Sequence, residues 1–409
     1  MQEQNKKDTT IKKPAAALLT ENGVQQSASA QRLSAETRSY YDEWKRTYLR
    51  TNPYAKDETQ YYVFYGEQTY EQVHAAVPVT VSEAHGYGML ITVLMAEYDS
   101  GAKDIFDGLY RYYIAHTSSI GPHLMAWQQS DNGEALVDTE GSDSATDGDL
   151  DIAYALLLAD TVWGSSGTFN YRQAAALIIA DIMEYDVSHT HWVMRLGDWV
   201  NYSGPGDKFF AATRTSDFML QYFPVFAAVT GDARWMQVYE QTNAIIRIFT
   251  GTAQSKTGML PDFCVPDPQG GWTAAPENFL ESEYDGQYYY NACRTPWLIG
   301  MDALINGNPD AQTYAERVTA FMKADTGGDP EKIRAGYRIR TGEAFSDYSD
   351  LCFTAPLMLA AKAAGDAQWH DAIRRAVMDL GTDSYFGNTI AMLCLISDDG
   401  GWLVPAQKE

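Results

Sequence analysis

Apolar residues recur along this chain at helical intervals. Tyr87, Leu90, Ile91, Leu94 and Tyr98 fall on one face of a helix, spaced three or four residues apart. The same pattern returns near residues 35–50, 84–100, 104–116, 149–163, 170–186, 214–230, 233–250, 290–305, 311–324, 350–363, 366–380 and 387–397, so twelve helices are expected. Gly, Pro, Asn and Asp gather in the stretches between them. Strand-like runs are few and short, "YYVFYG" and "THWVMRL" among them. Residues 87–96 and 152–163 are apolar nearly all round, and such helices must be enclosed on every side. No motif repeats along the chain, which argues against a solenoid of similar units. The expected fold is all-α, an (α/α)6 barrel of six inner and six outer helices. Two separate helical bundles are the alternative.

The pattern begins only at about Leu33. The polar, Lys-, Gln- and Ser-rich residues 1–34 read as a disordered leader without the hydrophobic core of a signal peptide, and residues 35–405 as one domain. That start is compatible with a cytoplasmic protein or with a mature secreted one. No run approaches the length of a membrane span. The 409 residues carry a formal net charge of −24 with no basic stripe, so nucleic acid is not expected as a partner. Cys264, Cys293, Cys352 and Cys394 lie far apart in apolar settings and are expected to be buried thiols. His189 and His191 form the one close histidine pair, without the surroundings of a metal site. Neither metal nor cofactor is expected. The chain is rich in rings, with 27 Tyr, 15 Phe and 10 Trp. These suit either a large core or the stacking of sugar rings.

Carboxylates crowd the expected starts of buried helices. In "ATDGDLDIAYALLLADTVW", from Ala145 to Trp163, three aspartates precede an almost wholly apolar run. Thr146 can cap this helix, with Asp149 at capping-box spacing. Asp147 and Asp151 are four residues apart and share a face. Capping does not require all three, so at least one is available for chemistry. In "VTVSEAHGYGMLITVLMA", Ser82 can cap and Glu83 stands in the first turn. Gly86 and Gly88 weaken that turn by about 1 kcal/mol each relative to Ala. Their presence implies that something approaches the backbone closely. As a general acid, Glu83 would need burial or neighbouring carboxylates to raise its pKa, because a helix start lowers it. A third stretch, "PENFLESEYDGQYYYNACRTPWLIGMD", places Glu277, Glu281, Glu283 and Asp285 ahead of three tyrosines, Arg294 and Trp297. Carboxylates at buried helix mouths, with abundant Trp and Tyr, match the needs of glycoside hydrolysis. There one carboxylic acid protonates the leaving oxygen while another carboxylate activates water or attacks.

At these positions the chain resembles glycoside hydrolase family 8. The Ala145–Trp163 stretch matches that family's A-[ST]-D-[AG]-D-x-x-[IM]-A signature, and "SEAHGYGMLITV" resembles its SEGxGYGM segment, with Ala84 and His85 differing. "HLMAWQ" from His123, "LGDW" from Leu196 and "FTAP" from Phe353 are also similar, and the likeness spans about residues 35–400. The resemblance implies an (α/α)6 barrel and hydrolysis with inversion, Glu83 being the general acid and Asp147 holding the sugar at the cleavage subsite. Many members carry a catalytic Asp immediately before "ACR", where this chain has Asn291, an amide that cannot accept the proton from water. One branch, of Bacillus chitosanases and related β-glucanases, has Asn there and recruits a Glu from an upstream loop. On that likeness Glu281 is the base, with Glu283 as its rival. Tyr87, Trp127, Trp199, Tyr289, Asn291 and Arg294 are candidate sugar contacts. Arg214 and Asp217 line the cleft or form a buried ion pair.

The resemblance implies a secreted or cell-surface enzyme, expected to be a monomer, that cleaves β-1,4 linkages within a β-glucan of cellulose or mixed-linkage type. Chitosan is the alternative substrate, since the acidic balance would attract a polycation. A non-catalytic sugar-binding protein of the same fold and an (α/α)6 lyase are the remaining readings. Retention of Glu83, Asp147 and Glu281 together opposes the first, and the acidic balance opposes the second.

Overall fold

The structure, a computed structural model, describes residues 33–65, 76–251, 255–380 and 384–406. Apart from Leu33 and Ser34, the expected leader lies outside these residues. Among the described residues twelve α-helices follow in order: α1 (Ala35–Tyr48), α2 (Ser82–Leu94), α3 (Ala102–Ala115), α4 (Thr146–Trp163), α5 (Tyr171–Asp181), α6 (Phe223–Thr230), α7 (Arg234–Thr250), α8 (Thr295–Asn306), α9 (Pro309–Asp325), α10 (Leu351–Ala363), α11 (Ala367–Asp379) and α12 (Tyr385–Asp398). Even-numbered helices are the apolar ones. α2, α4, α8, α10 and α12 are buried along nearly their whole length, whereas α1, α3, α7 and α11 bury one stripe. Inner helices pack side by side, α2 on α4, α8 on α10, α10 on α12, and α12 back on α2. This is the expected (α/α)6 barrel.

Between α4 and α8 the ring is completed by a short 3-10 turn, Thr215–Asp217, that touches both. The helix expected over 214–230 therefore starts only at Phe223. Tyr222, just before it, stacks on Tyr154 of α4 with centroids 3.9 Å apart and donates to Asp151 at 2.7 Å. The glycines of α2 and α4 answer what approaches the backbone there. A Cβ on Gly86 would lie 2.7 Å from Asp151 Cβ, and one on Gly148 would lie 2.6 Å from the Ser82 backbone. The two helices are pressed together backbone to backbone. On Gly88 a Cβ would meet Val63 at 2.4 Å.

Among the described residues eight short strands decorate the ring. β1 (Leu49–Thr51) pairs with β2 (Tyr61–Val63), the one element foreseen in "YYVFYG". "THWVMRL" contains only an isolated bridge, Val187 with Met194. Two antiparallel three-stranded sheets were not legible in the sequence. One joins β3 (Val77–Val81), β4 (Ala126–Asp131) and β5 (Leu136–Ser144); the other joins β6 (Thr213–Arg214), β7 (Phe263–Asp267) and β8 (Gly271–Ala274). β3 runs directly into α2, and β5 reaches α4 through Ala145 alone. The β4–β5 pairing slips between Ala126 and Gln128, opposite Glu140, Gly141 and Ser142, all at positive φ. Bulges of this kind re-aim side chains.

Besides the main core, a small separate one forms under the second sheet. Leu196, Val200, Ala212, Phe263, Ala275 and Phe279 build it, with Trp199 and Phe209 packed against them. The start of α1 is clasped to the end of α12. Ser34 N–H donates to Asp399 at 2.8 Å, and Arg374 on α11 reaches both Asp399 and Asp398. Lys362 and His370 also bind Asp398, at 3.1 and 2.7 Å.

Candidate active site

The mouths of the inner helices open onto one cavity of about 850 Å3. Its wall includes Glu83, Asp147, Trp127, Trp199, Arg214, Glu281, Asn291 and Arg294, all singled out from the sequence. The first sheet delivers Glu83 from the end of β3, Asp147 from the end of β5 and Trp127 from the bulged β4. The second sheet delivers Arg214 on β6, and the loop that follows β8 carries Glu281.

Arg294 is the hub. Its guanidinium is 2% exposed and spends its donors on protein. Nη1 donates to Glu83 at 2.7 Å, Asp147 at 3.0 Å and the Tyr87 hydroxyl at 3.1 Å. Nη2 donates to Asn291 Oδ1 at 3.0 Å, and Nε to the Asn291 carbonyl at 3.3 Å. Asn291 in turn donates through Nδ2 to Glu281 Oε2 at 2.8 Å, while Arg214 donates to Glu281 Oε1 at 3.2 Å. Glu83 and Glu281 thus share one network yet stay apart by two intervening side chains. Burial pushes the Glu83 carboxyl up to about 7, with Asp147 adding to the effect and Arg294 opposing it. This is the direction a proton donor requires, and burial among neighbours rather than the helix start decides it.

The other candidates fall as follows. Tyr87 stands behind the wall and supports Arg294. Asp217 is fully buried beneath the cavity, where burial and Asp147 push it up to about 8 against Arg214 and Arg294. Tyr289 lines a second cavity of about 490 Å3 with Tyr284, Phe345 and Tyr348. Glu283 is exposed and absent from the wall of the larger cavity, to which Glu281 contributes. The capping expectations need correction. Thr146 and Ser82 are already inside their helices, each preceded by an extended residue whose side chain makes no cap. Thr146 Oγ1 donates instead to the Arg195 carbonyl at 2.8 Å. Asp149 accepts Met125 N–H at 2.8 Å and so ties α4 to the start of β4. His189 and His191 bond to the Met183 carbonyl and Ser188. The four cysteines are buried and unpaired, as expected. Among the described residues no cluster of three or more His, Cys, Asp or Glu could hold a metal ion, and no helix is long and apolar enough to cross a membrane.

Several wall residues escaped the sequence reading: Tyr65, Asp143, Tyr290, Asp350, Tyr385 and Phe386. Asp350 caps α10, and Tyr385 and Phe386 open α12. The signal was present, because these too are mouths of inner helices. Burial and the neighbouring Asp198 push Asp143 up to about 6; it lies in the bulge, which no periodicity announces.

Known proteins share this fold. The chain is 40% identical over 382 residues to a β-glucanase of Niallia circulans, covering 93% of this chain and 87% of the relative. It is 37% identical over 384 residues to an endoglucanase of Bacillus sp. strain KSM-330, covering 93% and 79%. Among solved structures, a β-1,3-1,4-glucanase from Paenibacillus sp. X4 superposes with a TM-score of 0.82 at 40% identity, covering 93% of this chain and 94% of that one. A cold-adapted family 8 xylanase, at 16% identity and a TM-score of 0.74, shares the fold. The sequence pattern described as Glycosyl hydrolases family 8 matches residues 25–400, and the chain belongs to that family of glycoside hydrolases.

Proposed function

We propose that this chain is a secreted, monomeric, inverting endo-β-glucanase acting on β-1,4 linkages of cellulose-type or mixed-linkage glucan. Glu83 protonates the glycosidic oxygen. Glu281 takes a proton from the water that attacks the anomeric carbon from the other face. Asp147 holds the sugar at the point of cleavage, and Trp127 and Trp199 offer ring faces to the chain. The observation that carries this reading is the pairing of a proton-retaining Glu83 with a separately anchored Glu281 in one cavity. Inversion needs room for a water, roughly 6.5–9.5 Å between carboxyls. Two carboxylates linked through Arg294 and Asn291, rather than touching, suit that requirement. Asn291 is no base, but it orients one. The glucan reading draws on relatives named as β-glucanase, endoglucanase and β-1,3-1,4-glucanase, and it is preferred to chitosan.

The test is release of reducing ends from barley mixed-linkage glucan, carboxymethyl cellulose and chitosan side by side, with Glu83→Gln as the blank. Activity on the glucans, with products of inverted anomeric configuration by NMR, is expected. Activity confined to chitosan, or retained configuration, would sink the proposal.

A further inference from the structure

The loop that carries Glu281 poses a problem for a base that must be held to a fraction of an ångström. Leu280 and Glu281 are exposed, and Glu281 retains 44% of its side-chain exposure. Loops ordinarily hold catalytic geometry less firmly than helices or strands. Directly under this loop lies Asp285, a carboxylate only 1% exposed. Its Oδ2 accepts the backbone N–H of Leu280 at 2.7 Å and of Glu281 at 3.0 Å. Its Oδ1 accepts Ser282 N–H at 2.9 Å and Ser282 Oγ at 3.3 Å. Both oxygens are thus directed at consecutive amides of the segment that bears the base. The anchor is itself tied down, because Phe263 N–H of β7 donates to the Asp285 carbonyl at 2.9 Å. Hydrogen bonds to an ionised acceptor are among the stronger ones available.

We infer that Asp285 is the positioning residue for the general base: its buried carboxylate replaces a secondary-structure ladder for residues 280–282 and sets the Glu281 side chain against Asn291 and Arg214. The inference rests on Glu281 being the base. Asp285 is not among the residues that line the cavity, and it acts only through the backbone that carries Glu281. An amide at this position would offer one acceptor oxygen and turn an N–H2 toward amides that also donate. The loop would then lose at least one of its two attachment points.

The decisive comparison is Asp285→Asn, Glu281→Ala and the double variant, assayed on mixed-linkage glucan alongside thermal unfolding. Displacement of a reacting group by about 1 Å can cost 10²-fold in rate. Asp285→Asn is therefore expected to lower kcat by about 10- to 100-fold with KM nearly unchanged. If Asp285 works through Glu281, the double variant is no slower than Glu281→Ala alone. A double variant slower still, or unchanged kcat in Asp285→Asn, overturns the inference. Should Glu281→Ala itself keep full activity, the base assignment fails instead, and the two failures are told apart. Because Asp285→Asn could unfold the loop entirely, hydrogen exchange of the wild-type protein supplies a second test. The amides of Leu280, Glu281 and Ser282 should exchange slowly despite the exposure of Leu280 and Glu281. Rapid exchange at these three would overturn the inference.

Discussion

At the scale of single residues, the proposed chemistry turns on how two glutamates of one type are made different. Glu83 is pushed up to about 7 chiefly by burial, so it still carries its proton in mildly acidic solution. A general acid works only while protonated. The contribution of the acid should therefore be full below this value and decline as pH rises through about 7, which a kcat/KM profile on soluble glucan would register as the alkaline limb. Glu83→Gln should lower kcat by about 10²–10⁴-fold, the usual contribution of proton transfer, without a change in melting temperature. Asn291 is the most informative neutral residue. Its Nδ2 donates to Glu281 at 2.8 Å, so Asn291→Asp would set one carboxylate against another. Like charges at that distance cannot both ionise easily, and the pair would hold a proton to higher pH. The acidic limb of the profile should move upward and the rate at neutral pH should fall; an unmoved limb would count against Glu281 as base.

At the scale of elements, the mouths of the inner helices place the site and the two small sheets aim it. The helical part of this was readable in the sequence because burial on every side leaves an unbroken apolar run, as in 152–163. The sheets were not. β5, "LVDTEGSDS", is polar and half exposed, and its positive-φ residues break any alternation. The start of α6 was misplaced for a related reason. Buried residues 215–222 look like helix to a pattern that registers burial, but they form a 3-10 turn and a connecting segment. Arg294 appeared from sequence as a sugar contact, yet its donors are taken up by Glu83, Asp147, Tyr87 and Asn291; only distances could reveal that. The contact of α2 with α4 yields a further prediction. Gly148→Ala would place a Cβ 2.6 Å from the Ser82 backbone, and neither helix backbone can yield cheaply. Overpacking of this sort costs typically 1–3 kcal/mol. A melting temperature lower by several degrees is expected, together with reduced kcat, since Glu83 and Asp147 ride on the two helices.

For the whole molecule, closure of the ring is an electrostatic matter as well as an apolar one. Asp398, at the end of α12, is held well below the usual carboxylate range by His370 and Lys362, although burial works against them. That contribution is present above the ordinary carboxylate pKa of about 3.9 and is lost as pH falls through the lowered value. His370 is raised mainly by its hydrogen bond to Asp398, with burial opposing. Its contribution is complete below about 6.5 and disappears as pH rises through the raised value. The clasp should therefore be firmest between about pH 4 and 6.5. His370→Gln should flatten the decline in melting temperature on the alkaline side of that window, which calorimetry across pH would detect.

The small core beneath the second sheet bears on how such an enzyme can change over generations. Phe263, Phe279 and their neighbours pack together apart from the barrel interior, and the residue that presents Glu281 is strapped to this separate unit. Glu83, by contrast, belongs to the barrel, on one of two helices whose glycines leave no free room for a methyl group between them. Insertions and exchanges around the Glu281 loop can therefore be explored without repacking the ring, while the Glu83 side is tightly constrained. An enzyme of this build can seat one carboxylate on an exchangeable loop while an amide, Asn291, fills the helix mouth beside it.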